Sequence, residues 1–524
     1  MPATLSPGGG ETGATAPRRV GAGRAAALAW LLGCAPVGAT SHTPVPSPRP
    51  RAAGPRTSAV VSVTVPPGDG PLTVRWCFDG PMPKLAFRTQ RGRAATLDLS
   101  TPNGRSLRRD RGIAPPDGPP PRCLVHRLRR ATIVRERHGD GADLLLAVHD
   151  LLLRPTPPPG RTEVRFAVPK GAVVTTPWPE GPAPGTFRPA PSVHRFPGYV
   201  AVGPPPALVQ APGGTIRLRP LGALRADTPA LRAMVEDAAA TVQAVYGAMP
   251  RATMAVFVRP ARWARGVGFG QMLRGGGAAV VLRVGPGAPA DALPGNWTVT
   301  HEFLHATMPF ADDPWLGEGI ASYWTEIGRT RAGHRSEREG WRALEAAFER
   351  GRRRRRIRTL AAASDAMHRT FSYQHVYWGG AALCLLLDVT IRRRTGGREG
   401  LEDAARAIQG WLDAPRAIPA ERIVRAWERR YGDGLWALVE RELARGFPEL
   451  ADTFAFLGVQ HTADGVVLDD AAPGAAIRRA IMAPRRPRPN GGDDDPATRD
   501  DPARPRGRPA PAQPPGRTPD PPGG

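Results

Sequence analysis

Lysine is nearly absent from this chain, although the chain is strongly basic. Of the 72 basic residues among 524, only Lys84 and Lys170 are lysines, and the formal net charge is +25. A basic stripe that neutralises phosphates would indicate nucleic-acid binding. Here the arginines are spread over predicted linkers and helices alike, which indicates a compositional bias of the whole chain. We therefore expect no nucleic-acid partner.

One dense basic run interrupts this even spread. The run RGRRRRRIR, from Arg350 to Arg358, follows a predicted helix. A block of like charges is usually a solvated segment, which is the interpretation we favour. The alternative is a polyanion-binding site.

Long uncharged apolar runs are missing after the first forty residues, which argues against a polytopic membrane protein. At the start, Arg18, Arg19 and Arg24 precede AAALAWLLGC, an apolar run too short to span a bilayer as a mature helix. This pattern predicts an export signal over residues 1–39. LLGC resembles a bacterial lipoprotein box with Cys34 as the lipidated residue, whereas VGA before Thr40 would suit simple secretion. We expect an exported bacterial protein, periplasmic or associated with the cell envelope, and the lipid anchor at Cys34 is marginally favoured.

Cysteine is scarce, with four residues in the chain. Cys77 and Cys123 fall in the same predicted β-rich region, and the oxidising compartment expected for an exported protein permits a disulfide between them. Cys384, within AALCLLLD, is predicted to be a small core residue.

Proline and glycine are plentiful instead, with 62 and 61 residues concentrated towards the two ends. Short β-branched or alternating runs separated by turn residues predict an antiparallel β domain, and helical periodicity begins near Thr228. AAVVLRV, Ala278–Val284, is predicted to be an edge strand, and the preceding GVGFGQMLRGGG is predicted to be a turn that leads into it. The sequence thus predicts a mixed α+β multidomain chain with these segments: a signal at 1–39, a Pro-rich linker at 40–57, a β-rich domain at 58–217, a catalytic core at 218–335, a helical domain at 336–450, a small segment at 451–483 and a disordered tail at 484–524.

The stretch THEFLHATMPFADDPWLGEGIASYW contains the pattern of a metal site. On a helix His301 and His305 project from one face, so both imidazoles can reach one zinc ion. Glu302 points beside the metal, where it can act as a general base. A third ligand is needed, and Glu318 opens a second periodic helix after a loop that can reverse the chain direction. Asp312 and Asp313 in that loop are predicted to be solvated or to support the ligands rather than to bind the metal.

These motifs resemble a known group of enzymes. HEFLH followed by WLGEGIASYW resembles the gluzincins, zinc peptidases in which two histidines and a downstream glutamate hold the metal. WLGEGIASY is similar to the aminopeptidase N segment, although the interval between His305 and Glu318 is shorter. The segment Val376–Gly397 is more similar to the glycyl aminopeptidase family. Over residues 58–445 the resemblance implies a β domain, a thermolysin-like α/β zincin core and a C-terminal helical domain.

The resemblance also implies that Tyr377 stabilises the tetrahedral intermediate, a role that the chemistry requires of some donor. Tyr373, one helical turn earlier, is the competing candidate. The chain departs from the family in three ways: Gly379 stands where many relatives have lysine, no PDZ-like segment follows the helices, and the loop GFGQMLRGGG lacks the glutamate with which aminopeptidases grip a free amine. Amino-terminal trimming and internal cleavage therefore both stay open.

The sequence predicts a zinc-dependent peptidase. We expect one Zn²⁺ per chain held by His301, His305 and Glu318, with Glu302 and Tyr377 catalytic and a peptide or protein as substrate. The predicted strand Ala278–Val284 would pair with an extended substrate. The main alternative is a catalytically inactive exported binding protein with a zincin fold. The oligomeric state is not predicted.

Overall fold

The computed structural model describes residues 57–109, 112–113, 121–138, 143–225, 227–462 and 465–485. The predicted export signal with Cys34, nearly all of the linker, and the tail from residue 486 lie outside these ranges. Within them, no helix combines the length and the apolar character that crossing a membrane would need.

Two sheets dominate the first part of the described chain. One has the strand order β13-β11-β1-β2-β7-β4 and the other β12-β14-β9-β8, while β3 pairs with β10 and β5 with β6. The strands are β1 Ser58–Thr64, β2 Leu72–Phe78, β3 Lys84–Ala86, β4 Thr96–Ser100, β5 Arg108–Arg109, β6 Gly112–Ile113, β7 Cys123–Leu128, β8 Val134–His138, β9 Asp143–Ala147, β10 Arg154–Thr156, β11 Arg161–Ala167, β12 Val173–Thr175, β13 Thr186–Phe187 and β14 Tyr199–Gly203. Three short helices lie between them: α1 Gln90–Ala95, α2 Arg130–Ile133 and α3 Val148–Leu151.

Buried residues alternate with more exposed ones along β1 and β2, so one face of the larger sheet packs on a core. This core includes Val61, Val63 and Trp76. Cys77 and Cys123 lie directly opposite each other on β2 and β7, with Cα atoms 4.2 Å apart, and the predicted disulfide joins them. One expectation is corrected: β1 and β11 pair in parallel, so the region is not purely antiparallel.

A five-stranded sheet follows, with the order β15-β16-β17-β19-β18. Its strands are β15 Ala207–Ala211, β16 Gly214–Pro220, β17 Thr253–Pro260, β18 Val267–Leu273 and β19 Ala278–Val284. The glycine-rich segment expected to be a turn is therefore strand β18, and β18 rather than β19 lies at the edge. The boundary predicted between residues 217 and 218 falls inside β16, and the other domain boundaries stay a prediction.

One face of this sheet carries apolar side chains that meet β9 and β14 of the preceding region. Leu145 and Ala201 from those strands pack with Phe257, Leu273 and Val281. The opposite face packs against the helices. The five-stranded sheet is thus covered on both sides, which fits the long buried runs in β17 and β19.

Helices make up most of the remaining chain. They are α4 Thr228–Tyr246, α5 Trp297–Leu304, α6 Pro314–Arg331, α7 Glu337–Arg353, α8 Leu360–Asp365, α9 Met367–Thr370, α10 Tyr373–Arg394, α11 Leu401–Ala407, α12 Ala420–Tyr431, α13 Leu435–Leu443, α14 Ala451–Leu457 and α15 Ala475–Met482. A capping box of Ser336 and Glu339 begins α7. A hairpin forms from β20 Val459–Thr462 and β21 Gly465–Leu468. Arg485, in the predicted disordered tail, ion-pairs with Asp403 and so belongs to the folded part.

Helices α6 and α10 cross at two glycines. A β-carbon on Gly319 would overlap the backbone of Gly380, and one on Gly380 would overlap the carbonyl oxygen of Trp315. Beyond the crossing the helices are joined by a buried hydrogen bond, in which the Tyr323 hydroxyl donates to Asp388 at 2.7 Å. The relative placement of the two helices is therefore fixed at backbone level.

We expect Gly380→Ala to lower the free energy of unfolding by about 1–3 kcal/mol, because the added methyl group must push α6 and α10 apart. Gly317→Ala, in the partner helix α6, is the matched control, since a β-carbon there has nothing within 4 Å. The control should be neutral or stabilising by up to about 1 kcal/mol, as expected for a helix interior. Chemical denaturation measures both, and equal stability of the two variants would contradict the close crossing.

Candidate metal centre

Helix α5 carries the first histidine. It begins at an N-cap, Asn296, whose side chain accepts hydrogen bonds from the backbone N–H groups of Thr298 and Val299. The α-helix ends at Leu304, so His305 lies at the C-cap and opens a short 3₁₀ turn, His305–Thr307, rather than continuing the helix. Its backbone is still right-handed, with φ −57° and ψ −24°, and the two imidazoles therefore stay on one face.

Glu318 reaches the same point from the second turn of α6. Its Oε2 lies 3.2 Å from Nε2 of His301 and 3.4 Å from Nε2 of His305. The two Nε2 atoms are 3.2 Å apart. Among the residues that the structure describes, these three form the one group of histidine, cysteine and carboxylate side chains whose ligand atoms converge in this way.

The spacing fits a tetrahedral zinc ion. Atoms that bind such an ion at about 2.0–2.1 Å are themselves about 3.3–3.4 Å apart, which is close to all three distances. Two imidazole nitrogens and one carboxylate oxygen are also a donor set that zinc accepts in catalytic sites. His301 is buried, and Glu318 is 24% exposed, so the group is open towards solvent on one side.

Asp312 and Asp313 lie outside this group, as the sequence predicts. Asp313 occupies the N-cap position of α6, and its carboxylate accepts a hydrogen bond from the backbone N–H of Ala420 at 3.0 Å. That bond ties the loop between α5 and α6 to the start of α12.

Glu302 lies beside the three ligand candidates. Its Oε2 accepts a hydrogen bond of 2.6 Å from the backbone N–H of Met272 in the edge strand β18. Burial raises the pKa of Glu302 to about 7, with His301 opposing the rise and Glu318 adding to it. For Glu318 burial also opposes the charge, but the two histidines outweigh it and hold the pKa well below the ordinary value.

Gly270 explains how β18 comes so close. A β-carbon at this position would lie 2.6 Å from Cγ of Glu302 and 2.9 Å from Cγ2 of Thr298. Only a residue without a side chain lets the strand approach the helix that carries the catalytic candidate. The glycines that made this segment look like a turn are therefore a requirement of the site.

Tyr377 in α10 is brought to the centre. Its ring stacks on that of His301, with centroids 5.6 Å apart and planes at 9°, and its hydroxyl interacts with Glu318. Burial, followed by the charges of Glu318 and Glu302, raises the pKa of Tyr377, so the phenol stays protonated. Tyr373 lies one turn away, edge-on to Tyr377, with its hydroxyl 3.4 Å from Nδ1 of His368.

Two residues at this centre were missed by the sequence reasoning. Arg274, just after β18, donates to the carbonyl oxygens of His305 at 2.7 Å and Met308 at 2.9 Å, and so supports the turn that carries His305. Trp297, one turn before His301, stacks on its ring. The i, i+4 spacing was the available signal for Trp297, whereas nothing in the local sequence ties Arg274 to His305.

The basic run begins close to this region. Arg350 lies over the ring of Trp378 at 5.4 Å, and Arg352 over Phe447 at 5.0 Å. The arginines from 352 to 356 are exposed, which both the solvated segment and the alternative polyanion-binding site require.

Comparison with known proteins finds solved structures with a similar fold. No family model and no curated protein matches the sequence. An aminopeptidase N family protein from Idiomarina loihiensis matches the structure with a TM-score of 0.51 and 15% identity, over 77% of this chain and 78% of its own. Native yeast LTA4 hydrolase matches with a TM-score of 0.49 and 12% identity, over 74% of this chain and 68% of its own. A mutant M1 zinc metallopeptidase from Deinococcus radiodurans, bound to a Tyr-Ser-Ala substrate, matches with a TM-score of 0.43 and 14% identity. The match covers 75% of this chain and 96% of that one.

The chain therefore shares its fold with the Idiomarina protein, and the gluzincin resemblance is confirmed at the level of fold. The architecture is mixed α+β, as expected. The more specific resemblance to glycyl aminopeptidases stays a prediction.

We expect Glu318→Ala to weaken zinc binding at least about 100-fold, because two imidazoles alone leave the ion without its third protein ligand. Asp312→Ala is the matched control, as it removes an exposed carboxylate close in sequence. Competition with a chromogenic chelator measures both affinities. Equal affinities in the two variants would show that Glu318 is not a ligand.

Proposed function

We propose that the chain is a zinc-dependent peptidase that hydrolyses peptide bonds with water as the nucleophile. The observation that carries this proposal is the convergence of His301, His305 and Glu318, with ligand atoms 3.2–3.4 Å apart, next to a buried glutamate and a tyrosine. The fold shared with an aminopeptidase N family protein supports it.

One zinc ion per chain would be held by His301, His305 and Glu318. When bound, zinc polarises the scissile carbonyl and lowers the pKa of a water molecule. The protein supplies the remaining functions: it orients a base, offers a donor to the developing negative charge and aligns the peptide.

Glu302 is the proposed general base. Its carboxylate is oriented by the Met272 N–H, on the side of the ligand group that faces β18. From there it would accept a proton from the attacking water and pass it to the leaving amine. The backbone contact keeps the carboxylate in place through both transfers.

Tyr377 is the proposed oxyanion donor. Its protonated hydroxyl lies next to Glu318 and its ring is held against His301. A donor in such a position contributes about 3–4 kcal/mol to transition-state stabilisation. Tyr373 is less suited to this role, because its hydroxyl faces His368.

The substrate would lie along β18. This strand pairs with β19 on one side and is the last strand in its sheet, so its outer edge can accept an extended peptide by strand addition. The earlier assignment of that role to Ala278–Val284 is wrong, since β19 is paired on both sides. Both amino-terminal and internal cleavage are compatible with this placement.

We also propose that the protein is exported. The support is the charged and apolar pattern of residues 1–39 and the Cys77–Cys123 disulfide, which persists in oxidising compartments. A mature chain that begins with lipid-modified Cys34 is marginally favoured over simple secretion of a chain that begins near Thr40. Recovery of the full-length chain with an unprocessed amino terminus would contradict it.

We expect Glu302→Gln to keep zinc bound while kcat/KM falls by at least about 100-fold, because the amide cannot accept the proton. Cleavage of a mixed peptide pool, followed by mass spectrometry, measures the rate, and metal analysis confirms the zinc content. Unchanged cleavage in this variant would refute the mechanism.

A pair of tyrosine variants separates the two oxyanion candidates. Tyr377→Phe should lower kcat by about 100-fold with little change in KM, because the lost donor acts in the transition state. Tyr373→Phe, one turn away, should retain most of the activity. The reverse ranking would assign the role to Tyr373.

A further inference from the structure

The first histidine is held in an unusual way. A metal-binding histidine almost always donates its second ring N–H to a carboxylate, a carbonyl or a water, which fixes the direction of the ring. His301 is 2% exposed, and its Nδ1 is buried without a hydrogen-bond partner among the described residues. Among the described residues, packing rather than a hydrogen bond to Nδ1 orients this ring.

Two aromatic rings supply that packing. The ring of Trp297 lies 4.6 Å from that of His301, with the planes at 18°, and Tyr377 stacks on the same imidazole at 9°. Trp297 belongs to the first turn of α5, and side chains four residues apart on a helix lie one above the other. The contact therefore follows from the sequence spacing once α5 has formed.

Trp297 is itself held in place. Its indole N–H donates to Oε1 of Glu326 in α6 at 3.0 Å. Glu326 is 4% exposed and forms an ion pair with Arg335. The indole is thus fixed at its edge by a buried carboxylate, while its face remains against the imidazole.

We propose that Trp297 is a positioning residue, which holds the His301 imidazole in its ligating orientation by ring stacking in place of a hydrogen bond. This inference rests on the proposed zinc site. An imidazole that gives electron density to a cation becomes electron-poor, and the electron-rich face of an indole then attracts it more strongly. The stack should therefore favour the metal-loaded form.

The test measures metal binding rather than activity. Trp297→Leu keeps an apolar side chain but removes the ring, and we expect its zinc affinity to fall about 10-fold or more, as with other groups that orient a ligand. Trp297→Phe keeps a stacking face without the N–H and should stay within about 3-fold of the parent protein. Cobalt-substituted protein gives an independent readout, because the visible bands of Co²⁺ report the ligand geometry.

Trp436→Leu is the matched control for a general loss of packing. Trp436 is half-buried, packs against the same hydrophobic core and lies in α13. This variant should lose stability but keep the parent zinc affinity and cobalt spectrum.

Two results would overturn the inference: parent-like zinc affinity and cobalt spectrum in Trp297→Leu, or a defect in Trp297→Phe as large as in Trp297→Leu. A parent protein that binds zinc yet cleaves no peptide would overturn the proposed function and leave this positioning role intact. The two failures are therefore distinguishable.

Discussion

Two imidazole nitrogens and one carboxylate oxygen converge on a common point, separated from one another by 3.2–3.4 Å. Electron-rich atoms at this distance need protons or a cation between them, because otherwise their negative potentials repel one another. The surrounding fold is arranged to keep them there. Helix α5 and its terminal turn fix the histidines, α6 brings the carboxylate, and the glycine crossing of α6 with α10 sets the distance to Tyr377.

The edge strand β18, with Arg274 directly after it, contacts both the ligand group and the proposed base. Met272 holds the carboxylate of Glu302 through its backbone N–H, and Arg274 holds the carbonyl oxygen of His305. The same strand is the last in its sheet and is the proposed edge for peptide addition. A shift of β18 would therefore displace the proposed base, a ligand candidate and the proposed peptide-binding edge together. Gly270 is the position that sets the distance of β18 from α5.

The candidate site was largely predictable because its ligand candidates and Glu302 lie close together in the sequence, within residues 301–318. The spacing of His301 and His305 needs one helical turn, and Glu318 begins the next periodic segment, so local sequence is sufficient for both. Strand β18 was misread for the opposite reason: Gly268 and Gly270 lower strand propensity, but they are required where the backbone approaches Trp263 and Glu302. The parallel pairing of β1 with β11 and the contact of Arg274 with His305 depend on tertiary structure, which no local pattern encodes.

X-ray absorption at the zinc K edge, on protein purified without added metal, tests the central claim most directly. The account predicts one zinc ion per chain, with nitrogen and oxygen ligands at about 2.0–2.1 Å and the scattering pattern of two imidazoles. Folded protein that contains no zinc and takes none up, or a spectrum that requires sulfur ligands at about 2.3 Å, would contradict it.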